Sequence, residues 1–247
     1  MTTGPVFSAP YGVVVIGASG GIGTALVGAL ERDPAVAGIL ALSRSGAAGD
    51  AGKVRAGHID LLDETSIASA AVEASALPTL RLVMVATGFL HGAGAMPERS
   101  FRELDAATLS RAFAINTLGP AMVMKHFLPL LPKQGRSVFA ALSARVGSIS
   151  DNRLGGWYGY RASKAGLNQL LRTASIELRR SHPQAVILGL HPGTVATRLS
   201  EPFTARYTAN PVFTPEFAAG QLLDVIARAE PDWTGTVRDW QGVPVPS

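Results

Sequence analysis

Gly17-Ala18-Ser19-Gly20-Gly21-Ile22-Gly23 is a glycine-rich loop that follows an apolar run, Tyr11–Ile16, and precedes a helical pattern. The apolar run predicts a buried β-strand. Glycine permits a tight turn and a close approach of the backbone to a pyrophosphate, and the start of the following helix offers free N–H groups to an anion. This context predicts a dinucleotide-binding unit whose phosphate contacts are Gly17, Ser19, Gly20, Gly21, Ile22 and Gly23.

The rest of the chain alternates between short apolar runs and longer amphipathic segments. Strands are predicted at residues 11–16, 38–42, 53–59, 80–86, 136–142, 185–190 and 235–238. Helices are predicted at residues 23–32, 63–76, 105–130, 158–181 and 215–229, the last with Thr214 as its N-cap. Residues 198–214 lack periodicity and are predicted to form a long loop beside a binding cleft.

This alternation indicates the fold class. Strands that are apolar throughout suit a parallel sheet with both faces covered, and alternating strands and helices form right-handed crossovers. We therefore predict an α/β fold, a doubly wound (Rossmann-like) parallel β-sheet with helices on both faces. The whole chain, residues 1–247, is expected to form a single domain.

Composition narrows the classes of function. Hydrophobic residues make up 47% of the chain, which is enough to fill a sizeable core. There is no cysteine, which excludes disulfides, thiolate metal sites and a thiol nucleophile, and which suits a reducing cytoplasm. The net charge is +4, and Arg179 and Arg180 are the one adjacent basic pair. No basic stripe for nucleic acid is therefore predicted.

Metals and membranes are not expected as partners either. The histidines at positions 58, 91, 126, 182 and 191 are scattered without ligand spacing, so no metal site is predicted. No apolar run approaches the length of a membrane-spanning helix. We therefore expect a soluble cytoplasmic protein.

A second motif, Tyr160-Arg161-Ala162-Ser163-Lys164, lies in the predicted helix at residues 158–181. Its tyrosine and lysine, at positions i and i+4, face the same side of that helix. The nearby ammonium is expected to lower the pKa of the phenol from about 10 toward neutral pH. A tyrosine tuned in this way can protonate the alkoxide that forms when a hydride reaches a carbonyl carbon.

The two motifs together carry a resemblance to a known family. Gly17, Gly21 and Gly23 follow the spacing G-x-x-x-G-x-G, and this loop followed by Tyr-x-x-x-Lys resembles the short-chain dehydrogenase/reductase family. Residues 147–160 and 233–242 are similar to the subgroup that includes the C-factor protein and sniffer-type carbonyl reductases. The resemblance covers most of the chain, and it implies a nicotinamide cofactor and a catalytic set built around Tyr160 and Lys164.

Two further catalytic residues are implied by position. Asn116 resembles the asparagine that orders a water against the catalytic lysine. A serine after the fifth predicted strand is expected to donate a hydrogen bond to the substrate carbonyl. Counting forward along the strand, this serine is Ser143, our candidate, whereas counting back from Gly147 the place falls on Ala144. Ser148 is the alternative.

The end of the second predicted strand indicates which nicotinamide cofactor binds. Folds that prefer NAD carry an acidic residue there, about 20 residues past the glycines, but this chain has Ser43 and Arg44. A hydroxyl beside a guanidinium suits the 2′-phosphate of NADPH. By resemblance, the other cofactor contacts are Asp60, Leu61, Ala86, Thr87, Gly88, Tyr160, Lys164, Pro192, Gly193, Val195 and Thr197.

These expectations define a function. We expect an NADPH-dependent oxidoreductase that transfers a hydride to the carbonyl of a ketone, aldehyde or quinone, with Tyr160 as proton donor. Leu154, Trp157 and Phe203 suggest a small apolar substrate. The alternative is an NADP(H)-binding sensor or signalling protein that acts through a partner without essential catalysis. By resemblance, the predicted helices at residues 105–130 and 158–181 pair two chains in a homodimer.

Overall fold

The structure, a computed structural model, describes residues 6–7, 10–46, 50–92, 94, 96–204 and 211–247. In these residues the strands are β1 (Tyr11–Ile16), β2 (Val36–Ser43), β3 (Val54–His58), β4 (Leu80–Val85), β5 (Ser137–Leu142), β6 (Ala185–His191), β7 (Thr194–Val195), β8 (Val212–Phe213) and β9 (Thr236–Asp239). Seven of them form one sheet in the order β3-β2-β1-β4-β5-β6-β9, with every neighbouring pair parallel. The short strands β7 and β8 pair with each other.

Helices cover both faces of the sheet. They are α1 (Gly21–Glu31), α2 (Glu64–Ala74), α3 (Ala106–Phe113), α4 (Gly119–Phe127), α5 (Tyr158–Leu178), α6 (Glu201–Thr204) and α7 (Pro215–Ala227). In β1, Val13 and Val15 are buried in a cluster with residues of α1 and α7. Val14 and Ile16 are buried in the opposite cluster with residues of α2, α4 and α5. The predicted doubly wound α/β sheet is confirmed, and its apolar strands are those of a sheet covered on both faces.

Strand order places the functional site. The chain runs from β1 outward to β3 and then returns to β4 on the other side of β1. In open α/β sheets, a crevice opens at this switch point, beyond the carboxyl ends of the strands. The glycine-rich loop follows β1 at that edge.

One predicted helix is interrupted. Residues 105–130 form α3, a π-helical segment (Ala114–Leu118), α4 and a 3₁₀ turn (Leu128–Leu130) instead of one continuous helix. Pro120 has no N–H to donate, and its ring crowds the carbonyl four residues earlier, so a regular α-helical ladder cannot continue through it. Asn116 lies within the π-helical segment, a type of irregularity that is frequent at functional sites.

The predicted long loop at residues 198–214 also contains regular structure. It includes the short helix α6 and the strand β8, which pairs with β7, while residues 205–210 lie outside the described residues. The predicted N-cap after it is confirmed, because the Thr214 side chain accepts a hydrogen bond from the Phe217 N–H at 3.2 Å. A two-residue strand gives no periodic signal, so pattern reading does not detect it.

Candidate active site

A cavity of about 620 Å³ opens at the carboxyl ends of the central strands. Residues from five parts of the chain line it: the start of α1, the segments after β4, β5 and β6, and the start of α5. From the predicted site, the lining residues are Ile22, Ser143, Tyr160, Pro192, Gly193, Val195 and Thr197. The cavity therefore lies between Ile22 of the glycine-rich loop and two predicted catalytic residues, Ser143 and Tyr160, whereas Asn116 and Lys164 are not among its described lining residues.

Three glycines of the glycine-rich loop are packed so tightly that a side chain there does not fit. Gly17 has φ +86°, and a Cβ there would lie 2.9 Å from the Thr87 Cγ2 atom. At Gly23 a Cβ would lie 2.1 Å from the Gly17 carbonyl oxygen, so the helix packs directly on the turn. At Gly21 it would meet the Thr197 side chain at 2.9 Å. The backbone at these three positions thus packs directly on its neighbours, which gives the tight turn and the close packing of helix on strand that a dinucleotide-binding loop requires.

Other predicted cofactor contacts lie around the same crevice. Ser43 ends β2 and is buried, with its hydroxyl 3.3 Å from that of Ser45, whereas Arg44 is exposed. The hydroxyl of Thr87, beside Gly17, is buried without a hydrogen-bond partner. An enclosed unpaired hydroxyl next to a bare-backbone turn fits a site that binds a polar group such as a dinucleotide.

The residues after β3 have local roles as well. Asp60 accepts a hydrogen bond from the Leu62 N–H at 3.0 Å, while the N-cap of α2 is Asp63. The side chain of Leu61 lies against Gly119, where an added Cβ would be 2.8 Å from the Leu61 Cβ atom. Asp60 is therefore not the capping residue of α2.

The tyrosine and the lysine of the second motif lie near the start of α5. Lys164 is 2% exposed, and its Nζ donates a hydrogen bond to the Leu142 carbonyl at the end of β5 at 2.7 Å. The same Nζ is 5.8 Å from the centroid of the Tyr160 ring. The i and i+4 spacing brings the two side chains together, as predicted.

Burial determines the proton affinity of both groups. It raises the pKa of Tyr160 to about 12 and lowers the pKa of Lys164 to about 7. The expectation that the lysine lowers the tyrosine pKa is therefore wrong for the protein without cofactor. The physical reason is that removal from water disfavours both charged forms, and the amine bonds to the Leu142 carbonyl rather than to the phenol. At neutral pH Tyr160 carries its proton.

Asn116 connects the loop after β4 to α5. Its Oδ1 accepts from the Phe89 N–H at 2.7 Å, and its Nδ2 donates to the Phe89 carbonyl at 2.8 Å and to the Ser163 hydroxyl at 3.0 Å. The side chain is 1% exposed. Its amide thus holds the two segments together beside Lys164, while the water contact remains a prediction.

The two candidate serines differ in position. Ser143 lines the cavity, and its hydroxyl donates to the Asn168 Oδ1 atom at 2.6 Å. Ser148 is buried, and its hydroxyl accepts from the Asp151 N–H at 3.1 Å within a turn. Ala144 is one of the described residues that line the cavity, whereas Ser148 is not. The geometry therefore favours Ser143 over Ser148 as a residue near substrate.

Sequence reasoning missed a buried glutamate that holds the start of α5. Trp157, the residue before α5, has φ +53° and lies 5.1 Å from the Phe203 ring, centroid to centroid. Glu98 accepts from the Trp157 N–H through its backbone carbonyl at 2.5 Å and from the Gly159 N–H through its carboxylate at 3.1 Å. Because α5 has no side-chain cap of its own, Glu98 supplies that cap from a distant segment.

The sequence predicts no role for His191, which lies at the end of β6. It lines the cavity, and its Nδ1 is buried without a hydrogen-bond partner. Burial lowers its pKa to about 4. The one sequence signal was its place between a buried strand and Pro192-Gly193.

The described part of the chain contains neither a candidate group of metal ligands nor a helix suited to a membrane. It holds no group of three or more His, Asp or Glu side chains that could bind a metal ion. Within the same residues, no helix combines the length and the apolar character needed to cross a membrane.

Comparison with known proteins places these features in a family. The sequence profile of the family described as short chain dehydrogenase matches residues 12–208. The chain is 38% identical to the C-signal protein of Myxococcus xanthus over 144 residues, which are 58% of this chain and 81% of that protein. It is 36% identical to the 1-hydroxy-2-glutathionyl-2-methyl-3-butene dehydrogenase of Rhodococcus sp. over 152 residues, which are 62% of this chain and 64% of that enzyme.

Solved structures share the fold over nearly the whole chain. The NADPH-bound carbonyl reductase from chicken fatty liver has a TM-score of 0.81 at 23% identity, covering 97% of this chain and 100% of that one. The carbonyl reductase Sniffer of Drosophila melanogaster also has a TM-score of 0.81, at 21% identity and with the same coverage. With its profile match, glycine-rich loop and Tyr160–Lys164 pair, the chain belongs to the short-chain dehydrogenase family of oxidoreductases.

Proposed function

We propose that this protein reduces the carbonyl group of a small, largely apolar molecule with NADPH. The observation that carries the proposal is the shared cavity, which Tyr160 and Ser143 line together with Ile22 of the glycine-rich loop and residues of the segment after β6. The NADPH-bound state of the similar chicken carbonyl reductase supports this choice of cofactor. Ser43 and Arg44, in the place of an acidic residue, also support it, because they suit a 2′-phosphate.

The protonation states assign the chemical roles. NADPH, when bound, supplies a hydride to the carbonyl carbon. Tyr160, protonated because its pKa is about 12, donates its proton to the oxygen as negative charge develops there. Lys164, with a pKa of about 7, can gain and lose a proton near neutral pH and so return one to the phenolate. Asn116 positions α5 for this exchange through its bond to Ser163.

The substrate end of the cavity indicates an apolar or aromatic ligand. Trp157 and Phe203 form an aromatic wall, with the Trp157 ring 6.2 Å from that of Tyr160, centroid to centroid. Leu90, Leu154 and Leu199 also line the cavity. A flat ring that carries a carbonyl can pack on this wall.

A second candidate is a sensor of NADP(H) that acts through a partner. The similarity to the C-signal protein favours it, as does Ala144 at one of the two possible places of the catalytic serine. This hypothesis differs from the first in one respect: catalysis is not required.

The test compares NADPH consumption by wild type and by Tyr160→Phe against a panel of ketones, aldehydes and quinones. The substitution removes one hydroxyl and little volume, so the NADPH dissociation constant should stay unchanged. The rate on the best substrate should fall by about 10²- to 10⁴-fold, the contribution of general acid catalysis. A wild type that consumes no NADPH favours the sensor, and a variant as fast as wild type removes Tyr160 from the mechanism.

A further inference from the structure

The first two residues after β5, Ser143 and Ala144, offer no free side-chain donor for the substrate carbonyl. The hydroxyl of Ser143 has a single proton, which it donates to the Asn168 Oδ1 atom at 2.6 Å. Asn168 is oriented by its Nδ2, which donates to the Gly147 carbonyl at 3.4 Å. The next residue, Ala144, has no polar side chain. We therefore consider a donor on the neighbouring strand.

His191 lies on the neighbouring strand at the same level. Strands β5 and β6 pair as far as Leu142 and Leu190, and the Ser143 N–H continues the ladder by donating to the Leu190 carbonyl at 2.8 Å. Leu190 is buried in the cluster that includes residues of α1 and α7. Because successive side chains of a strand alternate, His191 points to the opposite face, toward α5. It lines the cavity together with Tyr160.

The surroundings of the imidazole indicate where its proton lies. Nδ1 is enclosed without a partner, so a proton there would be a buried donor without an acceptor, which is rarer and more costly than an unpaired acceptor. The proton therefore belongs on Nε2, the ring nitrogen that is not enclosed in this way. Burial, reinforced by Arg145 and opposed by Asp239, lowers the pKa of the ring to about 4, so it is neutral at working pH.

We infer that the Nε2–H group of His191 donates the hydrogen bond that polarises the substrate carbonyl. The inference rests on the proposed function and adds a catalytic residue to it. Tyr160 then supplies the proton and His191 a neutral hydrogen bond to the same oxygen. The Ser143 hydroxyl instead donates its hydrogen bond to Asn168 of α5, and this bond positions the segment after β5 against α5.

Matched substitutions test this role. His191→Met removes the donor, and His191→Gln keeps an N–H group at about the same reach. With the best carbonyl substrate of the wild type, we expect His191→Met to lower kcat/KM by about 10²- to 10³-fold, the usual effect of removing one such donor. His191→Gln should remain within about tenfold of wild type, and NADPH should bind all three proteins equally. Ser143→Ala should cost less than His191→Met.

The outcomes separate the two proposals. An active wild type whose His191→Met variant keeps the wild-type kcat/KM overturns the role of His191 and leaves the proposed function standing. A Ser143→Ala loss larger than that of His191→Met also overturns it, in favour of Ser143. A wild type that reduces no carbonyl refutes the proposed function and this inference together.

A measurement without turnover checks the same assignment. The ¹⁵N NMR signals of the histidine side chains, recorded on the protein without cofactor between pH 5 and 9, report the tautomer of each ring. The His191→Gln spectrum identifies which signals belong to His191. We expect one neutral form, protonated on Nε2, across this range. A proton on Nδ1, or a charged ring at pH 6, overturns the inference.

Discussion

Replacing Lys164 with methionine should stabilise the protein without cofactor while weakening NADPH binding. The amine is 2% exposed, and burial lowers its pKa from 10.5 to about 7. A difference of about 3.5 pKa units corresponds to about 5 kcal/mol of unfavourable free energy for keeping the ammonium charged in the folded state below pH 7. Methionine fills a similar volume and carries no charge.

Part of this gain is lost with the hydrogen bond to the Leu142 carbonyl. Removing a charged donor at 2.7 Å costs about 1.5 to 3 kcal/mol, so the net gain at pH 6 should be about 2 to 3.5 kcal/mol in the free energy of unfolding. The direction in which stability changes with pH follows from the lowered pKa of Lys164. Wild-type stability is greatest above the unfolded pKa of 10.5 and is lost as pH falls toward the folded pKa of about 7.

Urea unfolding followed by tryptophan fluorescence measures this difference. Between pH 6 and pH 9, the advantage of Lys164→Met should shrink by about 3 kcal/mol, because the wild-type amine loses its charge in the folded state. Lys133→Met, at an exposed position, is the control and should show no such pH dependence. The reasoning fails if Lys164→Met is less stable than wild type at pH 6, or if its advantage is the same at both pH values. NADPH titration should show weaker binding to Lys164→Met than to wild type, because the lysine is expected to contact the cofactor.

Three further predictions concern the cofactor site and assembly. Wild type should bind NADP(H) at least tenfold more tightly than NAD(H), about 1.4 kcal/mol, and Arg44→Asp should abolish or reverse this preference; equal wild-type affinities in a fluorescence titration would contradict it. Gly23→Ala should lower the melting temperature and prevent NADPH binding, because its Cβ would lie 2.1 Å from the Gly17 carbonyl oxygen. Gly28→Ala is the matched control within α1: its Cβ would meet nothing closer than 3.7 Å, so its melting temperature should stay equal or rise. Light scattering at micromolar concentration should give the mass of a homodimer paired through the helical regions at residues 105–130 and 158–181, and a monomeric mass would refute this assembly.

The parts of the fold that follow from local pattern were predictable. The strand before the glycine-rich loop, the loop itself and the spacing of Tyr160 and Lys164 depend on residues close together in the sequence. Pro120 marks the break of the helix at residues 105–130 in the sequence. The π-helical turn before it and the bonds of Asn116 to Phe89, 27 residues away, leave no trace in the apolar periodicity. Helical periodicity reports which face is buried and does not register an extra residue in one turn.

The site chemistry was harder to predict for a similar reason. Helical spacing placed the amine of Lys164 near Tyr160, but the atom that it bonds is the Leu142 carbonyl, at the end of another strand. Likewise, Ser143 was predicted to donate to substrate, and its nearest acceptor is Asn168 on α5. Hydrogen bonds between elements distant in sequence decide these details, and a pattern in one segment carries no information about them.

The cap that Glu98 places on α5 has a consequence for the order of folding. Its carboxylate bonds to the Gly159 N–H across 61 residues of chain, whereas the bond between the Thr24 hydroxyl and the Ala18 carbonyl in the glycine-rich loop spans six residues. Closing a long loop costs more entropy than closing a short one, so contacts of large sequence separation form later. We therefore expect the glycine-rich loop to form early in folding. The first turn of α5, which includes Tyr160, should reach its final position late. In a newly made chain, the glycine-rich loop would then be in place before Tyr160, the proposed proton donor.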